Sequence, residues 1–184
     1  MIAVWIAAGL VAIVLVYGVL LFNHLVSLRN RTDNGWSQID VQLRRRYDLI
    51  PNLVETVKGY AAHERELFEH VAEARTSAIG AQGVGDQAQA ENQITAGLRR
   101  LLAVAENYPE LKANENFLAL QEELTSTESK IAYARQFYND QVMRLNTLIQ
   151  SFPSNLVASA FGFKPREFFE IDDPARGPVS VELS

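Results

Sequence analysis

The stretch FLALQEELTSTESKIAYARQFYNDQVMRLNTLIQSF, residues 117–152, carries an apolar side chain at every seventh position. A seven-residue repeat keeps one stripe of an α-helix facing a neighbour, so this stretch predicts a helix over residues 115–151, about 55 Å long. Asn114 is suited to cap its start, and Pro153 marks its end. The six repeating positions are Phe117, Leu124, Ile131, Tyr138, Leu145 and Phe152.

Further apolar side chains widen this stripe beyond the narrow seam of a two-stranded coiled coil. A wide apolar face is typical of a helix that packs in a bundle with several neighbours. The additional positions are Leu120, Ala134, Val142, Leu148 and Ile149.

The residues upstream of the long helix also follow helical periodicity. Apolar side chains recur in helical register from Trp36 to Tyr60, which predicts a core-facing helix. Pro51 interrupts this register and predicts either a kink near residues 46–51 or a helix boundary. A second helix is predicted from about Glu64 to Ile79.

A third helix is predicted after a flexible connection at residues 80–85, GAQGVG. Asp86 and Gln89 have the spacing of a capping box, so we expect this helix to run from Asp86 to about Glu106. The sequence therefore predicts an all-α fold. An N-terminal transmembrane helix, residues 1–23, precedes an antiparallel bundle of about four long up-and-down, coiled-coil-like helices, residues 24–152.

The transmembrane prediction rests on residues 2–22, IAVWIAAGLVAIVLVYGVLLF, which contain no charge. Twenty-one helical residues span about 31 Å, close to the hydrocarbon thickness of a bilayer. A cleaved signal peptide is the alternative, but it has a basic start and a small-x-small cleavage site. Here only Met1 precedes the apolar run, so we expect an uncleaved anchor.

Basic residues follow the anchor and none precedes it. Arg29 and Arg31 lie close to its end, which predicts an N-terminus outside and a bundle in the cytoplasm. We expect these two arginines to face membrane lipid. Arg44–Arg46 form either a solvated helix face or a further contact with anionic lipid. The net charge of −5 and the anchor argue against nucleic-acid binding, and the absence of cysteine removes disulfides and thiol chemistry.

The segment 153–171, the apolar aromatic tail, holds many apolar groups for its length and contains two prolines. Such a segment must cover something, and three surfaces are open: its own bundle, a neighbouring subunit, or the membrane. Residues 172–184 read as a disordered end. The candidate residues for an oligomer or bundle interface are Phe152, Leu156, Phe161, Phe163, Phe168 and Phe169.

Two histidines among glutamates raise the question of a metal site. His63 and His70 are seven residues apart, roughly 10.5 Å along a helix axis, whereas nitrogens on one zinc lie within about 4 Å. Leu67 occupies the position where a helical zinc motif needs its second histidine. The sequence contains no G-x-S-x-G motif, P-loop or dinucleotide fingerprint. We therefore predict no metal, no cofactor, no catalytic residue and no enzymatic activity.

Three long motifs resemble those of the LemA family: WSQIDVQLRRRYDLIPNLVETVKGYAAHE, LLAVAENYPELKANENFLALQEELTSTESKIAYARQFYND and SFPSNLVASAFGFKPREFFE. The resemblance covers nearly the whole chain after the anchor. It implies an N-terminal membrane helix, an outward N-terminus and a cytoplasmic bundle of long antiparallel helices, and it implies no catalytic activity. The residues TDNG before Trp36 depart from the family pattern, which usually has better helix formers there. Gly35 costs about 1 kcal/mol against alanine in a helix. They leave open whether the membrane helix continues unbroken into the bundle.

These features predict a non-enzymatic scaffold or structural protein that crosses a bacterial cytoplasmic membrane once. It would self-associate through its helical bundle and tail. The alternative is an adaptor that holds a membrane enzyme, such as a protease, or a signalling partner. The expected partners are membrane lipid, further copies of the chain and a possible membrane protein.

Overall fold

The structure is a computed structural model that describes residues 1–171 of the 184 in the chain. Within that range the chain forms six helices and no strand, which confirms the all-α prediction. The predicted disordered end, residues 172–184, lies outside the described residues. The helices are α1 (Ile2–Lys58), α2 (Arg65–Gly80), α3 (Val84–Ala105), α4 (Pro109–Lys112), α5 (Glu115–Gln150) and α6 (Ser154–Ala160).

Helix α1 continues without a break through both Gly35 and Pro51. Pro51 therefore does not form the helix boundary that the sequence left open. A proline inside a helix leaves the carbonyl four residues earlier without its usual N–H donor. That carbonyl belongs to Tyr47, and the Arg75 Nε–H of α2 donates a hydrogen bond of 2.8 Å to it. A side chain from the neighbouring helix thus replaces the missing backbone donor.

Gly35 allows α1 and α5 to approach closely. A Cβ built at this position would lie 3.2 Å from both Phe137 Cδ1 and the Tyr138 Cα atom. Gly35, which departs from the family pattern, is thus required by the close contact of α1 with α5. The cost of a helical glycine is offset by the packing of α5 against the bare backbone.

Helix α5 has the predicted bounds to within one residue at its end. Asn114 caps its start, since the Phe117 N–H donates a 3.1 Å hydrogen bond to Asn114 Oδ1. The sixth heptad residue, Phe152, lies beyond the last residue of α5 and is exposed, which corrects the prediction for that position. The other five heptad positions are buried: Phe117, Leu124, Ile131, Tyr138 and Leu145.

Helix α3 begins earlier than the capping-box prediction. Its N-cap is Gly83 with φ of 87°, a left-handed conformation that glycine adopts readily, and no side chain caps the first turn. Asp86 therefore lies within the first turn, where its negative charge favours the helix N-terminus. Helices α2 and α3 run antiparallel and pack closely, with a Cβ at Gly97 meeting Val71 Cγ2 at 3.1 Å.

The chain forms two compact units to which α1 and α5 both contribute. Among the described residues, unit 1 comprises residues 1–43 and 128–168, and unit 2 comprises residues 44–127 and 169–171. In unit 1, α1 and α5 run antiparallel, with Trp36 beside Tyr138 at 5.5 Å between ring centroids. The core of unit 1 includes Leu25, Leu28, Leu145 and Ala158, with Leu148, Ile149, Val157 and Phe163 packed against them.

Candidate functional site

The first part of α1 presents apolar side chains to the outside over its whole circumference. Every residue from 2 to 17 is exposed, and the first fully buried position on the helix is Leu25. Within the described part of the chain, α1 is the one helix whose length and apolarity suit a membrane crossing. An all-round apolar helix is stable in contact with lipid rather than water. The chain thus carries one candidate membrane span at its N-terminus.

The tail folds back onto the end of this span. The ring centroids of Phe161 and Phe163 lie 4.7 and 5.9 Å from that of Phe22, the last residue of the apolar run. The guanidinium of Arg29 lies 5.4 Å from the ring centroid of Phe163, within cation–π range. Phe163 also packs on the core of unit 1 from its partly buried position. Phe161 remains 65% exposed despite its contact with Phe22.

Hydrogen bonds along α5 hold the chain that follows α6. The Asn146 side chain donates to the carbonyl of Arg166 and accepts from its N–H, both at 2.9 Å, so one side chain binds the main chain twice. The Tyr138 hydroxyl donates to the Glu167 carbonyl at 2.9 Å, and burial raises the pKa of this hydroxyl. Arg166 also pairs with Asp33 at 2.9 Å on the surface. The tail is therefore fixed to unit 1 within the same chain.

The structure divides the predicted interface residues into two groups. Phe169 is fully buried within the chain, and Phe163 is partly buried. Arg29 and Arg31, predicted to face lipid, are both exposed. The exposed apolar residues of the predicted set are Phe152, Leu156, Phe161 and Phe168.

His63 and His70 both lie at the surface, His63 in the turn before α2 and His70 on α2 itself. Among residues 1–171, no group of three or more histidine, aspartate or glutamate side chains is arranged to hold a metal ion.

A shallow groove of about 560 Å³ lies between α1 and α5 on unit 1. Tyr133 projects beside it and is 74% exposed, and Val41 and Phe137 are exposed on its walls. Gln42 also lines the groove, and its Oε1 atom is buried without a hydrogen-bond partner. The helical periodicity of the sequence did not predict this surface, because the residues that α5 contributes to it lie outside the heptad stripe.

A buried polar cluster occupies the core of unit 2. Arg46 Nη1 of α1 lies 3.3 Å from Glu91 Oε2 of α3, and the two side chains are 1% and 0% exposed. Arg46 Nη2 donates a 2.8 Å hydrogen bond to Thr95 Oγ1. This corrects the expectation that Arg44–Arg46 form a solvated or lipid-facing surface, because Arg46 is enclosed between helices.

The other oxygen of Glu91, Oε1, accepts hydrogen bonds from two side chains. The Tyr47 hydroxyl donates to Glu91 Oε1, and Gln87 Nε2 donates to the same atom at 3.0 Å and to the Tyr47 hydroxyl at 2.7 Å. Gln87, Glu91 and Thr95 are spaced by four on one face of α3, so all three reach α1 together. Burial, followed by the neighbouring Glu91 carboxylate, raises the pKa of the Tyr47 hydroxyl far above its ordinary range.

This arrangement suits structure better than chemistry. A catalytic carboxylate has to reach a substrate, whereas Glu91 is completely enclosed, accepts hydrogen bonds from a tyrosine and a glutamine, and forms an ion pair with an arginine. A buried network of polar groups and charges fixes the register of the helices that carry it. Sequence reasoning missed the cluster. Its one local signal was the spacing of polar residues by four among the small apolar residues of α3.

Comparison with known proteins gives one family. Residues 35–183 match the sequence model described as the LemA family. Two relatives, magnetosome proteins MamQ 1 and MamQ 2 of Paramagnetospirillum magneticum, are each 26% identical over 184 residues, covering 86% of this chain and 68% of the relative. Protein LemA of Metamycoplasma hominis is 24% identical over 163 residues, covering 88% of this chain and 74% of the relative.

These matches confirm the resemblance seen in the motifs around Trp36, in α5 and in the tail. The family match begins within α1, after the candidate membrane span, and includes the groove, the polar cluster and the tail. Since it spans most of the sequence, this protein belongs to the LemA family.

Proposed function

We propose that this protein is a membrane-anchored, non-enzymatic structural protein that self-associates through its helical bundle. The observation that carries the proposal is the continuity of α1. One helix bears an exposed apolar segment at its start and fully buried core residues from Leu25 onward. Because no loop separates the two parts, anchorage in a membrane would hold the buried core that begins at Leu25 at a fixed distance from the bilayer.

The groove on unit 1 supports self-association. It combines a projecting aromatic side chain, Tyr133, with a recess lined by Val41 and Phe137. A surface that has both a projection and a recess can pair with a copy of itself around a twofold axis. Burying each exposed large apolar side chain is worth about 1.5–3 kcal/mol.

The membrane would strengthen this contact. Anchored copies are confined to two dimensions, which raises their effective concentration. The tail contributes less to the proposed contact than its sequence suggested. Phe169 is enclosed within the chain, and Phe163 is packed on the core of unit 1.

Subunit counting tests self-association. Full-length protein, labelled with one fluorophore per chain, is reconstituted in bilayers and its photobleaching steps are counted. The variant Val41→Glu with Tyr133→Glu places two charges at the groove and should reduce the count to one. Met143→Glu is the matched control, because Met143 is an exposed apolar residue of α5 outside the groove lining, and it should keep the wild-type count. An unchanged count in the groove variant would contradict the proposed surface.

We also propose that the N-terminus is outside and that the helical bundle, residues 24–152, is in the cytoplasm. Arg29 and Arg31 follow the span, and no basic side chain precedes it. Protease added to intact cells should then leave residues 30–184 uncut, whereas permeabilised cells should lose them. Digestion of the bundle in intact cells would reverse this orientation.

A second candidate function uses the same groove. An adaptor for a membrane enzyme or a signalling partner would place a different protein on Val41, Tyr133 and Phe137. Such a protein would co-purify with the wild-type chain and would be lost from the groove variant, while the chain itself would remain a monomer.

A further inference from the structure

The contact between Phe161 and Phe22 places the tail at a defined depth along α1. Phe22 ends the apolar run of 2–22, so its ring would lie where the hydrocarbon layer meets the headgroups. Phe161 stacks on that ring at 4.7 Å between centroids. The tail first touches α1 near its last apolar turn, since Val19 and Leu20 are still exposed. Phe161 is therefore at the level of the membrane interface in any bilayer that the span crosses.

Helix α6 has a buried inner side and exposed apolar residues, and its place at the membrane interface explains this exposure. Its inner side, Ser154 and Ala158, is buried against unit 1. Three exposed large apolar residues lie in or beside α6: Phe152 before the helix, Leu156 within it and Phe161 at its end. Exposed large apolar side chains in water are costly, whereas the headgroup–acyl boundary accepts the apolar face of an amphipathic helix.

The charges around these exposed residues match an anionic headgroup layer. Arg29 lies at the ring of Phe163, and Lys164 follows on the exposed side of the chain. Neither residues 2–32 nor residues 151–164 contain an aspartate or a glutamate. The segment that meets the end of the span is thus basic and apolar, the combination that binds anionic membrane surfaces.

We propose that residues 152–164 form a second membrane contact, lying in the interface of the bilayer that α1 crosses. Phe152, Leu156 and Phe161 enter the boundary between headgroups and acyl chains, while Arg29 and Lys164 contact anionic headgroups. The inference rests on the proposed anchorage by α1. It gives the tail a different partner from a second subunit, and it would fix the rotation of α1 and its depth in the bilayer.

The absence of cysteine from the sequence allows a clean test. Single cysteines replace Leu156, Phe161, Val19 and Leu118 in separate full-length proteins, and each carries an environment-sensitive fluorophore. The proteins are reconstituted in phosphatidylcholine vesicles containing phosphatidylglycerol, with nitroxide-labelled lipids as quenchers. Val19 is an exposed residue of the span. Leu118 is an exposed apolar residue near the start of α5, outside the groove and about 48 Å along the helix axis from the end of α5.

Labels at Leu156→Cys and Phe161→Cys should show blue-shifted emission and protection from iodide. They should also be quenched more by nitroxide near the headgroup than by nitroxide deep in the acyl chains. The label at Leu118→Cys should remain accessible to iodide. If the labels at 156 and 161 are as accessible as the label at 118, the inference is wrong. Protection from iodide without lipid quenching would show that protein, such as a second copy, covers the tail, and would also overturn it.

The label at Val19→Cys separates this inference from the proposed function. Lipid quenching at 19 without quenching at 156 and 161 would overturn the tail contact alone. No quenching at 19 would overturn the anchorage itself. In vesicles without phosphatidylglycerol the blue shift at 161 should shrink, and Lys164→Glu should produce the same loss in the anionic vesicles. An equal shift in both lipid mixtures would contradict the assigned role of the charges.

Discussion

Replacing Glu91 with glutamine tests the most enclosed charges in the chain. The substitution keeps the shape of the side chain and leaves an amide oxygen to accept from Tyr47 and Gln87. It removes the negative charge beside Arg46, which is 1% exposed. Breaking a buried ion pair by removing one partner costs about 3–5 kcal/mol, because the remaining charge stays buried and has lost its oppositely charged partner. For a chain of this size such a loss lowers the melting temperature by about 6–20 °C.

A second substitution distinguishes the electrostatic cause from general damage. Arg46→Met removes the uncompensated charge and keeps an apolar stem in the core. The double variant Glu91→Gln with Arg46→Met should therefore recover much of the loss, with a coupling of about 0.5–3 kcal/mol between the two sites. Replacing a buried ion pair as a whole is often close to neutral.

The surface ion pair of Arg45 with Glu123 supplies the matched control. It has a 2.8 Å separation, and its side chains are 44% and 42% exposed. Glu123→Gln should cost no more than about 1 kcal/mol, because water screens exposed charges. All variants are compared as full-length protein in the same detergent by urea unfolding, which is monitored by circular dichroism. If Glu91→Gln costs no more than Glu123→Gln, or if the double variant is no more stable than the single one, the reasoning about the cluster is wrong.

Three further predictions concern Arg75, Tyr47 and Gly35. Arg75→Met should cost about 1–3 kcal/mol in urea unfolding, because the Tyr47 carbonyl opposite Pro51 loses its donor; an unchanged midpoint would contradict this. The pKa of Tyr47 is raised in the folded state, so its contribution is complete below about pH 10 and is lost as the pH rises further. Tyr47→Phe should therefore reduce the alkaline loss of stability, and an unchanged loss would contradict this. Gly35→Ala should destabilise by about 1–3 kcal/mol through its contact with α5, while Gly80→Ala, which meets nothing within 4 Å, should gain up to about 1 kcal/mol; equal effects would refute the close approach.

The sequence predicted the parts of the fold that depend on local pattern. The burial of five heptad residues of α5 follows from a spacing that any helix converts into one stripe. The Asn114 cap follows equally from local backbone geometry. Phe152 broke the pattern because α5 ends before it, at Gln150. A heptad position is buried only while the helix that defines it continues.

Contacts between distant segments could not be predicted in the same way. Three consecutive arginines point in three directions around α1, each about 100° from the next, and sequence alone does not say which one meets Glu91. The replacement donor for Pro51 comes from Arg75, which no local rule connects with Tyr47. Gly35 read as a weak point in α1, because only the position of α5 reveals why a side chain does not fit there.

The tail shows the same limit for the candidate site. Its composition predicted that it covers an apolar surface, and the structure fixes Phe163 on the core of unit 1. Its contacts are with distant segments, such as those of Phe161 and Phe163 with Phe22 near the other end of the chain. Phe169 and Phe161 are both tail phenylalanines, yet one is fully buried and the other faces outward.

Self-association through the groove is tested most directly by a photo-crosslinking amino acid at position 133 in living cells. Tyr133 projects from the groove, so its replacement by p-benzoylphenylalanine places the reactive group against whatever covers this surface. Self-association through the groove predicts an adduct at twice the chain mass. This adduct should form in membranes and should be absent when the same group replaces Met143. An adduct of a different mass, containing another membrane protein, would contradict self-association and support the adaptor. No adduct at all would show that the groove is not an interface.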